Sequence, residues 1–143
     1  DDVINVAGHR LSTGEMEELI GSHEAVAECA VLGIEDELKG QVPAGFVVLK
    51  DGYRMENDVL VPELVQIIRS NIGAIANFKQ AAIVKRLPKT RSGKILRKTI
   101  RSLADEGKAT IPSTIDDPAI LDEIKETLSS LEIGKAFKPK LNK

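Results

Sequence analysis

The sequence has little of the side-chain chemistry that several common protein classes need. Its 143 residues include one cysteine, Cys29, no tryptophan, and only 3% aromatic residues. A lone cysteine forms no internal disulfide, so nothing indicates an oxidising compartment, and few rings are available to stack on bases. No apolar run approaches eighteen residues, and no signal-like pattern opens the sequence. We therefore expect a cytoplasmic protein without membrane contact, with the mitochondrial matrix as the alternative compartment.

The charges nearly balance in number but are unevenly distributed. There are 20 basic and 22 acidic residues, yet residues 85–101 contain eight basic side chains and no acidic one. One cationic segment therefore lies on an otherwise acidic chain. Such a segment attracts anions, which leaves phosphates, nucleotides and nucleic acid open as ligands.

The hydrophobic pattern predicts a small α+β domain. Apolar runs typical of strands lie at residues 3–6, 26–32, 42–49 and 81–87. Apolar residues spaced three and four apart indicate helices at residues 12–20, 60–72, 95–103 and 117–128. We expect an antiparallel hairpin around a polar link at 35–40, in a sheet of about three strands with helices packed on it.

The chain is predicted to hold one domain with an extension. We place the domain at residues 1–110 and the extension at 111–143, with one helix and a frayed end after Ser130. Pro62 is expected in the first turn of its helix, where its missing N–H costs nothing. Because Asp1 leads directly into a strand-like segment without an initiator methionine, we expect the sequence to be part of a longer chain.

Residues 88–95, Pro-Lys-Thr-Arg-Ser-Gly-Lys-Ile, are the first candidate site. Small residues before a lysine, between a strand and a helix, suggest a phosphate loop, although the glycine and Ser/Thr positions of a Walker A motif are not matched. Gly93 permits a sharp turn, and Ser92 with the backbone amides can bind an anion. Lys94 can neutralise a carboxylate and a phosphate that must meet. Taken alone, such a loop is more often solvated surface.

Residues 1–11 are the second candidate site, Asp-Asp-Val-Ile-Asn-Val-Ala-Gly-His-Arg-Leu. Gly8 permits close approach of a ligand, and Arg10 offers a planar fork for phosphate, although an arginine beside a turn is more often a surface residue. The two histidines and the cysteine have no common metal-ligand spacing. No metal site is therefore predicted.

Together the two segments resemble the C-terminal domain of the adenylate-forming superfamily. That superfamily includes acyl- and aryl-CoA synthetases, peptide-synthetase adenylation domains and firefly luciferase. The first segment, extended by Ser12 and Glu17, and the later Leu-Pro-Lys-Thr-Arg-Ser-Gly-Lys-Ile carry the resemblance, which covers residues 1–130. The sequences of these segments are most similar to those of acetyl- and propionyl-CoA synthetases. Residues 111–118, Ile-Pro-Ser-Thr-Ile-Asp-Asp-Pro, are more similar to the propionyl branch.

The resemblance implies an AMP-forming ligase of short-chain carboxylates, propionate or acetate. Such an enzyme makes acyl-adenylate and pyrophosphate from acid and ATP, then passes the acyl group to the CoA thiol. A large N-terminal domain, missing here, binds ATP and the acyl chain, and the C-terminal domain rotates between one pose for each half-reaction. ATP and CoA are then substrates, and Mg belongs to the full-length enzyme rather than to this domain. The fragment alone is expected to be inactive.

The resemblance also assigns residues to the first half-reaction. Lys94 matches the lysine that bridges the substrate carboxylate and the α-phosphate during adenylation, with Ser92 and Gly93 as its supporting loop. Asp1 matches the hinge of the rotation. In acetyl- and propionyl-CoA synthetases the matching lysine is controlled by acetylation, which implies an acetyltransferase and a deacetylase as partners.

Other residues are assigned to the thioester-forming pose. Ala7 and Gly8 match the turn that lines the tunnel for the pantetheine arm of CoA, although acetyl-CoA synthetases commonly carry serine at position 7. Arg10 would face the nucleotide phosphate, and Arg69 would bind a CoA phosphate. We expect this turn to lie far from Lys94, because two half-reactions on one rotating domain need two faces.

Two other classes of function remain open from the sequence. The cationic segment would suit a nucleic-acid-binding module, although the few aromatic residues count against one. A structural or interaction domain is the third possibility. Titration with CoA and with DNA separates the three.

Overall fold

The computed structural model describes residues 3–139, and these form one five-stranded sheet with helices on both faces. The strands are β1 (Val3–Val6), β2 (His9–Ser12), β3 (Val26–Asp36), β4 (Gly40–Leu49) and β5 (Gln80–Ile83). The long β3–β4 hairpin is its centre. The other edge of β4 pairs antiparallel with β1 at Gly40 and parallel with β5 at residues 44–47. The sheet is therefore mixed.

Two helices cover each face of the sheet. They are α1 (Thr13–Gly21), α2 (Asn57–Asn71), α3 (Arg97–Glu106) and α4 (Ile120–Leu131), with a short 3-10 turn at Ala74–Ala76. Alternate residues of β3 face opposite layers: Leu32 packs with the α3 and α4 residues, whereas Val31 packs with those of α1 and α2. The period of two in the strands and of 3.6 in the helices thus produces two apolar layers around one sheet.

The α+β class and the central hairpin are confirmed, but the predicted count of about three strands is too low. β2 was not predicted because Leu11 is the only apolar residue in its His-Arg-Leu-Ser sequence. β5 ends at Ile83 rather than Leu87, and its last pair with β4 is Val47 with Ile83. The additional strand is therefore β2, which the pattern of apolar residues does not reveal.

The prediction that Pro62 occupies the first helical turn is wrong. Helix α2 begins at Asn57, which places the proline in its second turn. The additional residues are held because the Asn57 side-chain oxygen accepts a hydrogen bond from the Ile83 N–H at 2.9 Å. That contact ties the start of α2 to β5.

The frayed end predicted after Ser130 is not found in residues 131–139. Ile133 is buried, and the Ala136 N–H donates to the carbonyl of Ala104 in α3 at 3.0 Å. A Cβ on Gly134 would collide with the Ala104 backbone, so glycine is needed for this approach. Apolar residues at 133 and 137 cover α3, which is why the chain stays ordered there. The division at residue 110 stays a prediction.

Within residues 3–139, no helix has the length and apolar character needed to span a bilayer.

Candidate functional site

The segment at residues 88–95 folds into a small hairpin just before α3. Lys89 pairs antiparallel with Ile95. The Thr90 N–H donates to the carbonyl of Lys94 at 2.9 Å, and the Gly93 N–H donates to the carbonyl of Thr90 at 2.9 Å. Gly93 has φ 93°, a conformation that side chains disfavour, as predicted for a sharp turn. Lys94 is thereby held, exposed, on a closed loop before a helix, which confirms the predicted placement.

Thr90 is a residue of this hairpin that the sequence interpretation missed. Its hydroxyl accepts a hydrogen bond from the Lys94 N–H at 3.1 Å and lies 3.0 Å from the hydroxyl of Ser92. A Ser or Thr side chain that binds a nearby backbone amide is typical of tight turns. This tendency of Ser and Thr in turns is the signal in the sequence that could have identified Thr90.

The extension contacts the same hairpin through its backbone. The Arg91 N–H donates to the carbonyl of Thr114 at 3.0 Å, and the Asp116 N–H donates to the carbonyl of Lys89 at 2.9 Å. Between them, Thr90 forms a β-bridge with Ile115. Residues 113–116 therefore act as a second short strand beside the loop, although they lie some twenty positions later in the sequence.

Acidic residues neutralise much of the predicted cationic segment. Arg86 pairs with Asp117 at 2.7 Å and with Glu123 at 2.6 Å, and these contacts lower the pKa of both carboxyl groups. Lys89 pairs with Glu28 at 2.9 Å. Among the residues that the structure describes, Lys94 forms no ion pair of this kind. The part of the segment that carries unpaired positive charge is thus smaller than the sequence suggests.

Glu17 fixes the start of α3 beside the hairpin. Its carboxylate accepts two hydrogen bonds from Arg97, at 2.7 and 2.8 Å, and a third from the backbone N–H of Val31 at 2.8 Å. A bidentate Arg–carboxylate pair gives a defined geometry as well as energy. Further along α3, the Asp105 carboxylate accepts from the Glu35 N–H at 3.2 Å. Helix α3 therefore runs along the outer edge of β3.

Cys29 lies beside Glu17 and is unsuited to nucleophilic catalysis. Burial and the nearby Glu17 carboxylate raise the pKa of its thiol to about 11. The thiol is therefore protonated at neutral pH, whereas the thiolate is the nucleophilic form.

The second candidate segment forms the turn between β1 and β2. Ala7 and Gly8 have φ of 50° and 88°, which matches a type I′ hairpin turn, and both are exposed. The Ala7 N–H donates to the carbonyl of Lys39, in the turn between β3 and β4, at 2.8 Å. A side chain on Gly8 would point into open space on this domain. The turn is therefore a projecting surface that could meet another molecule.

The remaining assigned residues lie on separate elements. Arg10 is exposed on β2, paired in register with Asn5, and Arg69 is exposed in the last turn of α2. Asp1, the predicted hinge, lies outside the described residues.

The two candidate segments lie at opposite ends of the central hairpin. The Ala7–Gly8 turn adjoins the turn after β3, whereas Lys89 pairs with Glu28, which faces Val48 near the other end of the sheet. Eight residues of β4 separate Gly40 from Val48, which corresponds to about 26 Å at the usual rise per residue. The structure therefore presents Lys94 and Gly8 at separate places, as the sequence interpretation expected.

The two clefts that the structure shows most clearly lie away from Lys94 and Gly8. A cleft of about 390 Å³ lies between β5 and α4, and another of about 640 Å³ lies beside α1, but Lys94 and Gly8 border neither. The described residues contain no group of three potential metal ligands. The His23 Nε2 atom lies 2.7 Å from the Glu63 Oε1 atom.

Comparison with known proteins identifies this arrangement. The family model described as the AMP-binding enzyme C-terminal domain matches residues 15–94, more than half of the sequence. The chain belongs to this family. A crystal structure of a Brucella canis acyl-CoA synthetase superposes on 71% of the chain with a TM-score of 0.65 and 35% identity, covering 19% of that protein. The predicted adenylate-forming fold is thereby confirmed.

Relatives are short-chain acyl-CoA synthetases. A mitochondrial short-chain family member B of Dictyostelium discoideum is 51% identical over 87% of this chain and 18% of its own length. A propionate–CoA ligase of Escherichia coli is 46% identical over 90% of this chain and 21% of its own length. The chain thus spans about a fifth of the length of the relatives it matches.

Proposed function

We propose that this chain is the mobile C-terminal domain of an AMP-forming ligase that activates a short-chain carboxylate with ATP and transfers the acyl group to CoA. The observation that carries the proposal is the placement of two exposed segments, the Lys94 hairpin and the Ala7–Gly8 turn, at opposite ends of the β3–β4 hairpin. Lys94 serves adenylation, with Ser92 and Gly93 shaping its loop, while the Ala7–Gly8 turn serves thioester formation. The N-terminal domain of the same chain supplies the ATP site with its Mg and the acyl pocket.

The chemistry of the reaction supports the roles assigned to these two segments. Adenylation brings a carboxylate towards a phosphate of like charge, and an ammonium placed between them stabilises the transition state. Lys94 is exposed and outside the ion pairs that occupy its neighbours. Arg10 and Arg69 are the proposed phosphate contacts of the second pose, and Asp1 is the proposed hinge.

We propose propionate as the preferred acid, with acetate next. The support is the 111–118 segment and the similarity to a propionate–CoA ligase. The proposed compartment is the cytoplasm, with the mitochondrial matrix as the alternative, since one of the relatives named above is mitochondrial.

The test of this proposal is an assay of the full-length protein with propionate or acetate, ATP, Mg and CoA. We expect AMP, pyrophosphate and acyl-CoA, with a higher kcat/KM for propionate, and no turnover by residues 1–143 alone. A full-length protein that releases no pyrophosphate with either acid would refute the ligase assignment. Tight DNA binding by the same protein would instead favour the nucleic-acid module.

Acetylation of Lys94 is expected to switch the enzyme off. The modification removes the ammonium charge and leaves the side chain about as long, so the group that stabilises adenylation is lost. An acetyltransferase and a deacetylase are the proposed partners. The measurement is pyrophosphate release from propionate and ATP by protein carrying acetyl-lysine at position 94 alone. We expect a loss of at least about 100-fold, the size seen when one stabilising donor is removed from a transition state.

Acetyl-lysine at Lys89 or Lys98 provides the matched controls. Both lysines are close to Lys94 in sequence, but Lys89 is held by Glu28 and Lys98 lies on α3. Normal turnover of these two proteins beside an inactive protein modified at 94 assigns the effect to that residue. Normal turnover of all three proteins would contradict both the switch and the catalytic role of Lys94.

A further inference from the structure

The hairpin that carries Lys94 is held from outside by a segment beyond the residues matched to the family. The match ends at Lys94, whereas residues 113–116 lie in the extension. The two backbone hydrogen bonds that form the Thr90–Ile115 β-bridge join this segment to the loop, and the Arg91 side chain adds a bond to the carbonyl of Ser113 at 3.1 Å. The loop therefore has a partner strand that lies outside residues 15–94, the part of the chain that the family model matches.

The bracing segment is anchored at several points. The Ile115 side chain is buried in the layer between the sheet and α4. Two residues later, Asp117 accepts hydrogen bonds from Arg86 at 2.7 Å and from the Ala119 N–H at 3.0 Å. Arg86, which follows β5, also binds Glu123 of α4. Its contact with Asp117 therefore links the bracing segment to both β5 and α4. A segment fixed in this way can restrain the loop beside it.

We infer that residues 113–116 are a positioning element for adenylation, which fixes the loop so that Lys94 enters the active site in one geometry. The inference rests on the proposed role of Lys94. A catalytic group that is misplaced by about 1 Å can lose about 100-fold in rate, so a flexible loop would be costly in this half-reaction. The second half-reaction uses the other end of the domain, and it gains nothing from the brace.

The brace is testable at Asp116, whose backbone N–H makes the bond to Lys89. Asp116→Pro removes this N–H, while Asp116→Ala removes the exposed carboxylate and keeps the N–H. In the full-length enzyme, we expect Asp116→Pro to slow pyrophosphate release from propionate and ATP by at least about tenfold. Thioester formation from supplied propionyl-adenylate and CoA should stay within about twofold of the unmodified rate, as should both rates of Asp116→Ala.

Hydrogen–deuterium exchange of the same proteins provides a second measurement. Peptides that cover residues 88–96 should exchange faster in Asp116→Pro than in Asp116→Ala, because the amides of Thr90, Arg91 and Gly93 are held by the hairpin and its brace. Peptides from the β3–β4 hairpin should be unchanged. Equal exchange of residues 88–96 in the two variants would overturn the inference.

The outcomes separate this inference from the proposed function. An equal loss of both half-reactions in Asp116→Pro would assign residues 113–116 a merely structural role and overturn the inference. If Lys94→Ala abolishes adenylation while Asp116→Pro matches Asp116→Ala, the brace is refuted and the role of Lys94 stands. If Lys94→Ala adenylates normally, the proposed function itself fails.

Discussion

Replacing Lys94 with alanine in the full-length enzyme should lower acyl-adenylate formation by at least about 100-fold, since it removes the cation expected at the transition state. Transfer of a preformed acyl-adenylate to CoA should be largely retained. The reason is geometric: the Lys94 hairpin and the turn assigned to that step lie at opposite ends of the β3–β4 hairpin, near Val48 and Gly40, which eight strand residues, or about 26 Å, separate. Pyrophosphate release measures the first half-reaction, and acyl-CoA formed from supplied adenylate measures the second.

Lys98→Ala is the matched control for this variant. Lys98 is also exposed and follows Lys94 by four positions, but it lies on α3 rather than on the hairpin. It removes the same charge from the same part of the surface, so a general electrostatic effect would appear in both variants. Equal loss of the two half-reactions in Lys94→Ala would contradict its assigned role.

Gly8→Leu should give the opposite pattern, with thioester formation reduced by at least about 100-fold and adenylation retained. A side chain at this position meets nothing within the domain, so any obstruction of the CoA step would involve a surface outside it. Loss of adenylation as well would indicate misfolding rather than obstruction. The two half-reaction assays described above measure both rates.

The backbone of Gly8 makes a control for strain necessary. Its φ of 88° is unfavourable for any other L residue and costs about 1–2 kcal/mol with a side chain. Gly8→Ala introduces this strain with only a methyl group, whereas leucine adds bulk that reaches into the proposed tunnel. If alanine and leucine reduce thioester formation equally, backbone strain rather than obstruction explains the effect.

The elements defined by local signals were predicted well. Ser12 caps α1 by accepting from the Glu15 N–H at 3.2 Å, and Gly107 ends α3 with φ 78°, which are the roles that these residue types commonly take at helix ends. The turn at Gly93 followed from the same kind of argument. In each case a few neighbouring residues determine the conformation, so the sequence is sufficient.

The features that depend on distant residues could not be predicted from the sequence. Strand β2 contains a single apolar residue and is a strand because β1 pairs with it. The contact of residues 113–116 with the loop at 88–95 is made by backbone atoms, which leave no trace in side-chain patterns. The neutralisation of Lys89 by Glu28 joins residues that are 61 positions apart. Such pairings arise only when tertiary structure brings the segments together.

The carboxylates on the outer edge of β3 have a consequence for the proposed movement of this domain. In the described residues, β3 has only β4 as a strand partner, so its other side would present unpaired backbone groups to neighbouring molecules. Glu17 and Asp105 accept the N–H groups of Val31 and Glu35, and α3 runs along the same side. An open edge of this kind invites strand-to-strand association between copies. If the domain changes its pose as proposed, the capped edge would let it leave the N-terminal domain without exposing a template for aggregation.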